Sequence, residues 1–285
     1  IKEMICLTEG EDKIIEKMKG FESVLVGDIP SHERNLFVKH CFENNIRCYS
    51  IPKLSDIMIR SAESIDLFDS PLMLYRNRGL NYLQAIMKRI MDIVVSGLAL
   101  IILAIPMIII AILIKTYDGG PVMYSQKRLT LNGREFDILK FRSMVVDSEK
   151  NGARLASAND DRITPVGRVI RRLHFDELPQ LINILKGDMS VVGPRPERKD
   201  IADEYKKEIP EFDFRLKVKG GLTGYAQVYG QYNTTPYDKL KLDLTYIENY
   251  SLWLDIKIMI LTVKILFWKE KSEGVDDSQT TALKK

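Results

Sequence analysis

Hydrophobic and polar positions alternate along most of this chain, and between Ile93 and Ile114 the alternation stops. That run of 22 residues carries no charge. At about 1.5 Å per residue it just reaches across a hydrocarbon core of roughly 30 Å. Pro106 sits inside it, where a proline removes a backbone hydrogen bond and favours a kink. Both flanks are basic, with Lys88 and Arg89 before the run and Lys115, Lys127 and Arg128 after it. Lys and Arg gather at the cytoplasmic ends of membrane segments. Two forms meet these facts: a plain spanning helix, and a re-entrant segment that bends at Pro106 and returns to the side it came from. A buried core helix fits so long an uncharged run poorly.

Residues 1–75 have a soluble pattern. Ser23 to Asp28 reads as a buried strand, and Ser31 as the N-cap of a helix running through Phe42 and Glu43. Ile46 to Ile51 reads as a second strand, ended by Pro52. Strand, helix and strand at this spacing predict a βαβ unit in a small parallel layer. No GxGxxG turn is present, so dinucleotide binding is not supported, and the piece reads as structural or regulatory. In 76–92, Arg76, Arg78, Lys88 and Arg89 are mixed with Leu80, Leu83, Ile86, Met87 and Ile90. This pattern predicts an amphipathic linker helix arriving at a membrane surface. Residues 115–270 return to globular composition. Near their end a mostly apolar stretch from Trp253 to Trp268 is interrupted by Asp255, Lys257 and Lys264 and followed by Lys269 and Lys271. It suits a helix lying in the headgroup plane, or equally an amphipathic helix packed on the domain core. The tail 271–285 is polar and expected to be mobile.

Composition changes this picture little. The 42 basic and 39 acidic residues leave a net charge of +3, which argues against a general nucleic-acid binder. Cys6, Cys41 and Cys48 form no CxxC pair and read as reduced thiols. The opening residue is Ile1 rather than Met, from which a longer natural N-terminus is expected.

The candidate chemistry lies downstream of the uncharged run, at Asp176-Glu177. Asp176 is placed as a helix N-cap, with Pro179 in the first turn and Gly187 as the stop. A helix N-terminus suits a phosphate, or a carboxylate attacking one. One carboxylate can serve as nucleophile while its neighbour serves as metal ligand or electrostatic partner. Arg162, Arg168, Arg171 and Arg172 precede the dyad. Arg195 follows it between Pro194 and Pro196, which stiffen the backbone and aim the guanidinium as bidentate phosphate binding requires. Carboxylates with phosphate imply a divalent metal, Mg2+ above others. His32, His40 and His174 are scattered and make no zinc site with the cysteines; His174 reads as packing.

Lys140-Phe141-Arg142-Ser143-Met144, Asn159-Asp160-Asp161-Arg162-Ile163-Thr164, Val166-Gly167-Arg168, Asp176-Glu177-Leu178-Pro179-Gln180-Leu181, Lys186-Gly187-Asp188-Met189-Ser190, Gly193-Pro194-Arg195-Pro196 and Gly221-Leu222-Thr223-Gly224-Tyr225-Ala226-Gln227-Val228 occur in that order. Together they resemble the bacterial sugar transferases, the monotopic polyprenyl-phosphate phosphoglycosyl transferases. The resemblance covers about Lys88 to Trp268, and residues 1–75 look like the Rossmann-like module of the larger members.

The fold class this implies has three parts. They are an α/β Rossmann-like fragment at the N-terminus, a re-entrant membrane helix hairpin over 93–114, and a mainly helical α+β catalytic domain with interfacial amphipathic helices. The implied reaction transfers a sugar 1-phosphate from a UDP-sugar to undecaprenyl phosphate and releases UMP, the first step of exopolysaccharide, capsule or O-antigen assembly. By the same carry-over Asp176 is the nucleophile that forms an aspartyl-phosphosugar intermediate, with Glu177 and Mg2+ assisting. Asp176 and Glu177 are the candidate metal ligands. Arg171 and Arg195 align with phosphate-contacting arginines, and Arg162, Arg168, Lys140 and Arg142 complete the candidate substrate-binding set. The implied setting is the bacterial inner membrane with the catalytic domain cytoplasmic, a lipid bilayer as partner, and a homodimer as one assembly.

The chain departs from the family pattern at Ile105-Pro106, where a small polar residue often precedes the proline, and at Gly220 and Tyr225, where Pro and Trp are common. A membrane phosphohydrolase acting through an aspartyl-phosphate, and a non-enzymatic membrane scaffold, are the alternative readings.

Overall fold

The computed structural model describes residues 2–60, 62–67, 70–75, 80–146, 160–230 and 234–266. Arg76, Arg78, Asn159, Trp268, Lys269, Lys271 and the tail 271–285 lie outside the described residues. The chain divides into two units, Ile1–Asp56 and Ile57–Lys285.

In the first unit α1 (Glu11–Met18), β1 (Ser23–Val26), α2 (Ser31–Glu43) and β2 (Arg47–Ser50) give the expected βαβ order. The two strands are parallel, with Ser23 opposite Arg47 and Val26 opposite Ser50. Ile14, Met18, Val26, Phe37 and Cys41 form the core. Two expectations need correction. Ser31 is the first helical residue, and Pro30 occupies the cap with no side-chain hydrogen bond. The strand β1 is also only partly buried: Val26 faces the core while Leu25 is exposed, because a two-stranded layer leaves one face open. All three cysteines are free. Burial, with Cys48 beside it, pushes the Cys41 thiol up to about 11, which suits an inert packing residue.

After α3 (Leu54–Arg60) comes an antiparallel hairpin, β3 (Glu63–Leu67) with β4 (Ser70–Leu74). The next helix, α4 (Tyr82–Asp118), has 37 residues. It opens with a capping box: Gln84 N–H donates to Asn81 Oδ1 at 2.8 Å, and Asn81 N–H donates back to Gln84 Oε1 at 3.0 Å. It ends at Gly119, which takes the left-handed conformation. Positions 92 and 114 both lie inside this one helix, so residues 82–92 of the expected linker and the apolar segment share an element.

The rest of the second unit follows as β5 (Met123–Leu129), β6 (Glu135–Phe141), α5 (Pro165–Arg172), α6 (Gln180–Lys186), β7 (Ser190–Val192), α7 (Lys199–Glu208), β8 (Gly221–Thr223), α8 (Tyr225–Tyr229), α9 (Pro236–Glu248) and α10 (Leu252–Leu266). The β5–β6 pair is an antiparallel hairpin, and β7 and β8 pair in parallel. A Cβ on Gly193 would stand 2.4 Å from Lys219 O, and one on Gly221 would stand 2.1 Å from Gly193 N. The two glycines therefore let the backbones after β7 and before β8 touch.

Both flanks of α4 are fixed to this second unit. On the N-terminal flank, Lys88 Nζ donates to Asp255 Oδ2 at 2.7 Å, Val192 O at 2.9 Å and Tyr246 Oη at 3.2 Å. Arg89 donates to Ile184 O and Leu185 O, both at 2.6 Å, capping the orphan carbonyls that end α6. Asp92 Oδ1 accepts from Ser190 Oγ and Val191 N–H, both at 2.9 Å. On the C-terminal flank, Ile110 and Ile114 pack with Phe141 and Ile170. Between the flanks the apolar surface is bare: Ile101 is 75% and Ile105 71% exposed. By length and composition α4 is able to cross a membrane.

The helix α10 has both faces that the sequence left open. Asp255 and Ile258 point inward and are fully buried. Trp253, Ile256, Ile260 and Val263, at helical spacing, form an exposed apolar stripe.

The Lys88–Asp255 pair sets the first expected outcome. Lys88→Met strands a buried carboxylate and lowers unfolding stability by about 3–5 kcal/mol. Adding Asp255→Leu restores most of that loss. Denaturant unfolding of the detergent-solubilised protein measures both, and a double variant no better than the single one would refute the charge argument.

Candidate active site

The local sequence places the dyad by starting and stopping α5. Thr164 caps the helix, its Oγ1 accepting from Gly167 N–H at 2.9 Å, and Pro165 fills the first turn. The helix ends at Leu173, and His174 turns the chain with φ of 56°, a left-handed conformation in which His is enriched. Phe175–Glu177 then form a single 3-10 turn. The full helix α6 begins only at Gln180, with Pro179 as its cap. Asp176 is therefore not a helix N-cap. The dyad's electrostatics come from side-chain cations rather than from a helix end.

Phe175 and Leu178 bracket the dyad and pack against the cluster of Ile110, Ile114, Phe141 and Ile170. Asn183 sets the strand beside it: its Oδ1 accepts from Leu139 N–H at 2.9 Å, and its Nδ2 donates to Asp137 O at 2.8 Å. This holds β6 against α6 and brings Lys140 over Glu177.

Glu177 is clamped. Lys140 Nζ donates to Oε1 at 2.8 Å, while Arg195 donates to Oε1 at 2.5 Å and to Oε2 at 3.2 Å. Burial alone would raise the Glu177 pKa, but the charges and hydrogen bonds of Arg195 and Lys140 outweigh it and hold the carboxyl well below the usual range. Asp176 is shifted the other way. Burial and then the adjacent Glu177 charge raise it, against the opposing charges of Lys140, Arg171 and His174. Its carboxylate has no hydrogen-bond or ion-pair partner among the described residues. Burial lowers the Lys140 pKa, with Glu177 opposing. Arg215, itself buried against Asp243, donates through Nη2 to Arg195 O at 3.0 Å and fixes the loop that aims Arg195.

Of the expected residues, Asp176, Glu177, Lys140 and Arg195 come together, and Arg171 contributes its charge to Asp176. Arg142 is elsewhere, paired with Asp118 at the end of α4. Arg162 pairs with Asp160 at 2.5 Å, and Arg168 lies on the exposed side of α5. Two further residues belong beside the dyad: Arg128 and Gln180 line a small pocket with Lys140 and Arg195. Arg128 was legible in principle. In the hairpin register it opposes Phe136, so it shares the face of Phe136, Ile138 and Lys140, where a charge interrupts an apolar pattern.

The model of the bacterial sugar transferase family matches residues 83–269. Among curated proteins, the chain is 39% identical over 233 residues to a UDP-N-acetylgalactosamine-undecaprenyl-phosphate N-acetylgalactosaminephosphotransferase of Aeromonas hydrophila, covering 81% of this chain and 54% of that one. It is 40% identical over 210 residues to a UDP-glucose:undecaprenyl-phosphate glucose-1-phosphate transferase of Klebsiella pneumoniae, covering 72% and 43%. It is 35% identical over 276 residues to galactosyl transferase CpsE of Streptococcus agalactiae, covering 93% and 59%. The chain thus spans about half the length of the curated relatives it matches.

The opposed shifts in the dyad set a pH dependence. A reaction that needs Asp176 ionised loses rate as pH falls through a pKa lying above 3.8, the ordinary aspartate value. Glu177→Gln removes a negative neighbour and releases two cations, so it lowers that pKa and moves the acid limb of the residual rate to lower pH. A rate–pH profile of the variant measures this, and a limb that stays or moves up would contradict the assignment.

Proposed function

The chain belongs to the bacterial sugar transferase family, and from that premise we propose that it transfers a sugar 1-phosphate from a UDP-sugar to undecaprenyl phosphate. The observation that carries this reading is the pairing of an unpartnered Asp176 with a Glu177 held by Lys140 and Arg195, at the foot of a long apolar helix. In the first step an Asp176 oxygen attacks the sugar-bearing phosphorus. A bond from that oxygen to phosphorus forms, the phosphorus–oxygen bond to the nucleotide breaks, and UMP leaves with the electron pair. In the second step a phosphate oxygen of the lipid attacks the same phosphorus and Asp176 is released. A covalent step divides one displacement between two bulky anions into two easier ones. Lys140, Arg171 and Arg195 supply positive charge where phosphoryl oxygens gather it.

Mg2+ belongs to this proposal. Among the described residues no group of three or more His, Cys, Asp or Glu stands ready for a metal. Mg2+ is commonly held by only one or two carboxylates together with substrate phosphates, and Asp176 with Glu177 fits that share. When bound, the ion would neutralise phosphoryl oxygens. The residues themselves orient the nucleophile and keep Glu177 ionised.

We place the protein at the inner face of the bacterial inner membrane, with the catalytic half cytoplasmic, α4 re-entrant, and the N-terminal βαβ unit part of a Rossmann-like module. Asp92 and Ile114 would be roughly 33 Å apart on a straight helix, about the thickness of a hydrocarbon core. A straight crossing would carry Ile114 away from the unit that holds Asp92, yet both are packed on that unit. A bend at Pro106 meets this constraint and leaves the exposed stretch between them to lipid. The stripe of Trp253, Ile256, Ile260 and Val263 suits the headgroup plane.

Two measurements test these points. The first is UMP release from UDP-glucose, UDP-galactose and UDP-N-acetylgalactosamine with Mg2+ and undecaprenyl phosphate. Release from at least one donor is expected, lost by more than a thousandfold in Asp176→Asn; a fully active variant would refute the mechanism. The second introduces a single cysteine at Tyr82 or Tyr117 in sealed vesicles, with the native cysteines replaced. An impermeant maleimide is expected to reach both from one face, and labelling from opposite faces would establish a spanning helix instead.

A further inference from the structure

The pocket beside the dyad is lined by Arg128, Ile138, Lys140, Gln180, Arg195 and Pro196, and its empty volume is about 220 Å³, part of it open to solvent. That is below the roughly 300–1,000 Å³ of a site for a whole small molecule, so it suits one group of a larger ligand. Three of the six side chains are cations. Glu177 already accepts from Lys140 and Arg195, and Glu197 lies 3.7 Å from Arg128.

Two donors on residues that line this pocket are buried and idle. Arg128 Nε and Gln180 Nε2 have no hydrogen-bond partner, and Gln180 is only 1% exposed. Buried donors are almost always paired, and an unpaired one calls for a reason. Among the six side chains Gln180 Oε1 is the one acceptor, set against donors on Arg128, Lys140, Gln180 and Arg195. A ligand that offers only acceptors and carries negative charge completes such a site, and a phosphate does both.

Resting on the transferase reading, we infer that this pocket is a phosphate subsite with Gln180 and Arg128 as binding residues, and that it holds the phosphate of the departing nucleoside monophosphate. Two observations favour that phosphate over the lipid's. The pocket adjoins Glu177, next in the chain to the nucleophile, where the neighbouring phosphate of a diphosphate would sit. Its residues also come from β5, β6, the start of α6 and the loop after β7, and none from α4, α5 or α10, whose exposed apolar side chains face outward. When Asp176 attacks, the broken bond's electron pair stays on the departing phosphate. The two idle donors meet that added charge, so their contribution grows along the reaction.

The test uses the full chain in lipid nanodiscs and reads binding without turnover. Gln180→Leu and Arg128→Gln, on separate elements, are each expected to weaken UMP by about tenfold or more. They leave uridine affinity and the KM for undecaprenyl phosphate unchanged. UMP affinity unchanged in both variants would overturn the subsite. So would a parallel loss of UMP and uridine, which marks damage or a nucleoside contact. A raised KM for undecaprenyl phosphate with UMP unaffected would assign the pocket to the acceptor and overturn the leaving-group role. Turnover with UMP affinity unchanged in the variants sinks the subsite and leaves the transferase standing. Variant-sensitive UMP binding in a protein inactive on every donor sinks the transferase reading and leaves the phosphate subsite.

Discussion

Lys88 is a cation held out of water, and the second unit is organised around the partners that make this tolerable. Moving an ammonium into a low-dielectric interior costs several kcal/mol after relaxation. Asp255 on α10, the Val192 carbonyl on β7 and the Tyr246 hydroxyl on α9 offset that cost. One side chain of α4 thereby ties together three elements distant in sequence. Arg89 and Asp92 extend the tie to the end of α6 and the start of β7. A helix whose remaining surface is largely apolar would otherwise have no preferred rotation or depth. Its polar residues supply both, because only one rotation satisfies all three.

The same constraint fixes where the dyad sits. The far flank of α4 packs through Ile110 and Ile114 on the cluster that also receives Phe175 and Leu178, the two residues around the dyad. The carboxylates are thus referenced to the apolar helix by packing and to the rest of the unit by Lys140 and Arg195. Asp255 completes the pattern from the other side. Because it points inward to Lys88, the stripe of Trp253, Ile256, Ile260 and Val263 must point outward, so a buried ion pair and an exposed apolar face are two results of one helix orientation.

How much of this the sequence made legible depended on range. The uncharged run, the βαβ order and the helix stop at Gly187 are local signals and are present in the structure. Asp255 is in the sequence only a charge that disturbs an apolar stretch. Its partner stands 167 positions away, and no periodicity points to it. Arg162 was grouped with the dyad because it precedes it closely, and Arg142 through the family resemblance, yet the structure pairs them with Asp160 and Asp118. The N-cap expected at Asp176 failed for a local reason: His174 reverses the chain and Phe175–Glu177 close a 3-10 turn, which delays the helix to Gln180. Gln180 itself read as one more motif position, because a glutamine's burial and idle amide appear only in three dimensions.

The two carboxylates also show how adjacent residues acquire different work. Both are drawn from water, and burial pushes both pKa values up. Glu177 has one more methylene and reaches Lys140 and Arg195, whose charges reverse that push. Asp176 is shorter, forms neither contact, and instead feels the negative charge of its neighbour. The first stays ionised and fully engaged; the second keeps a free carboxylate of raised basicity. A more basic oxygen is a better nucleophile, and an unengaged one has no hydrogen bond to break before it attacks. Environments that drive two titratable groups apart are how acid–base and nucleophilic roles are divided. Here the opposed shifts follow from a difference of one methylene and from cations that the hairpin and the proline-braced loop hold on one side of the turn.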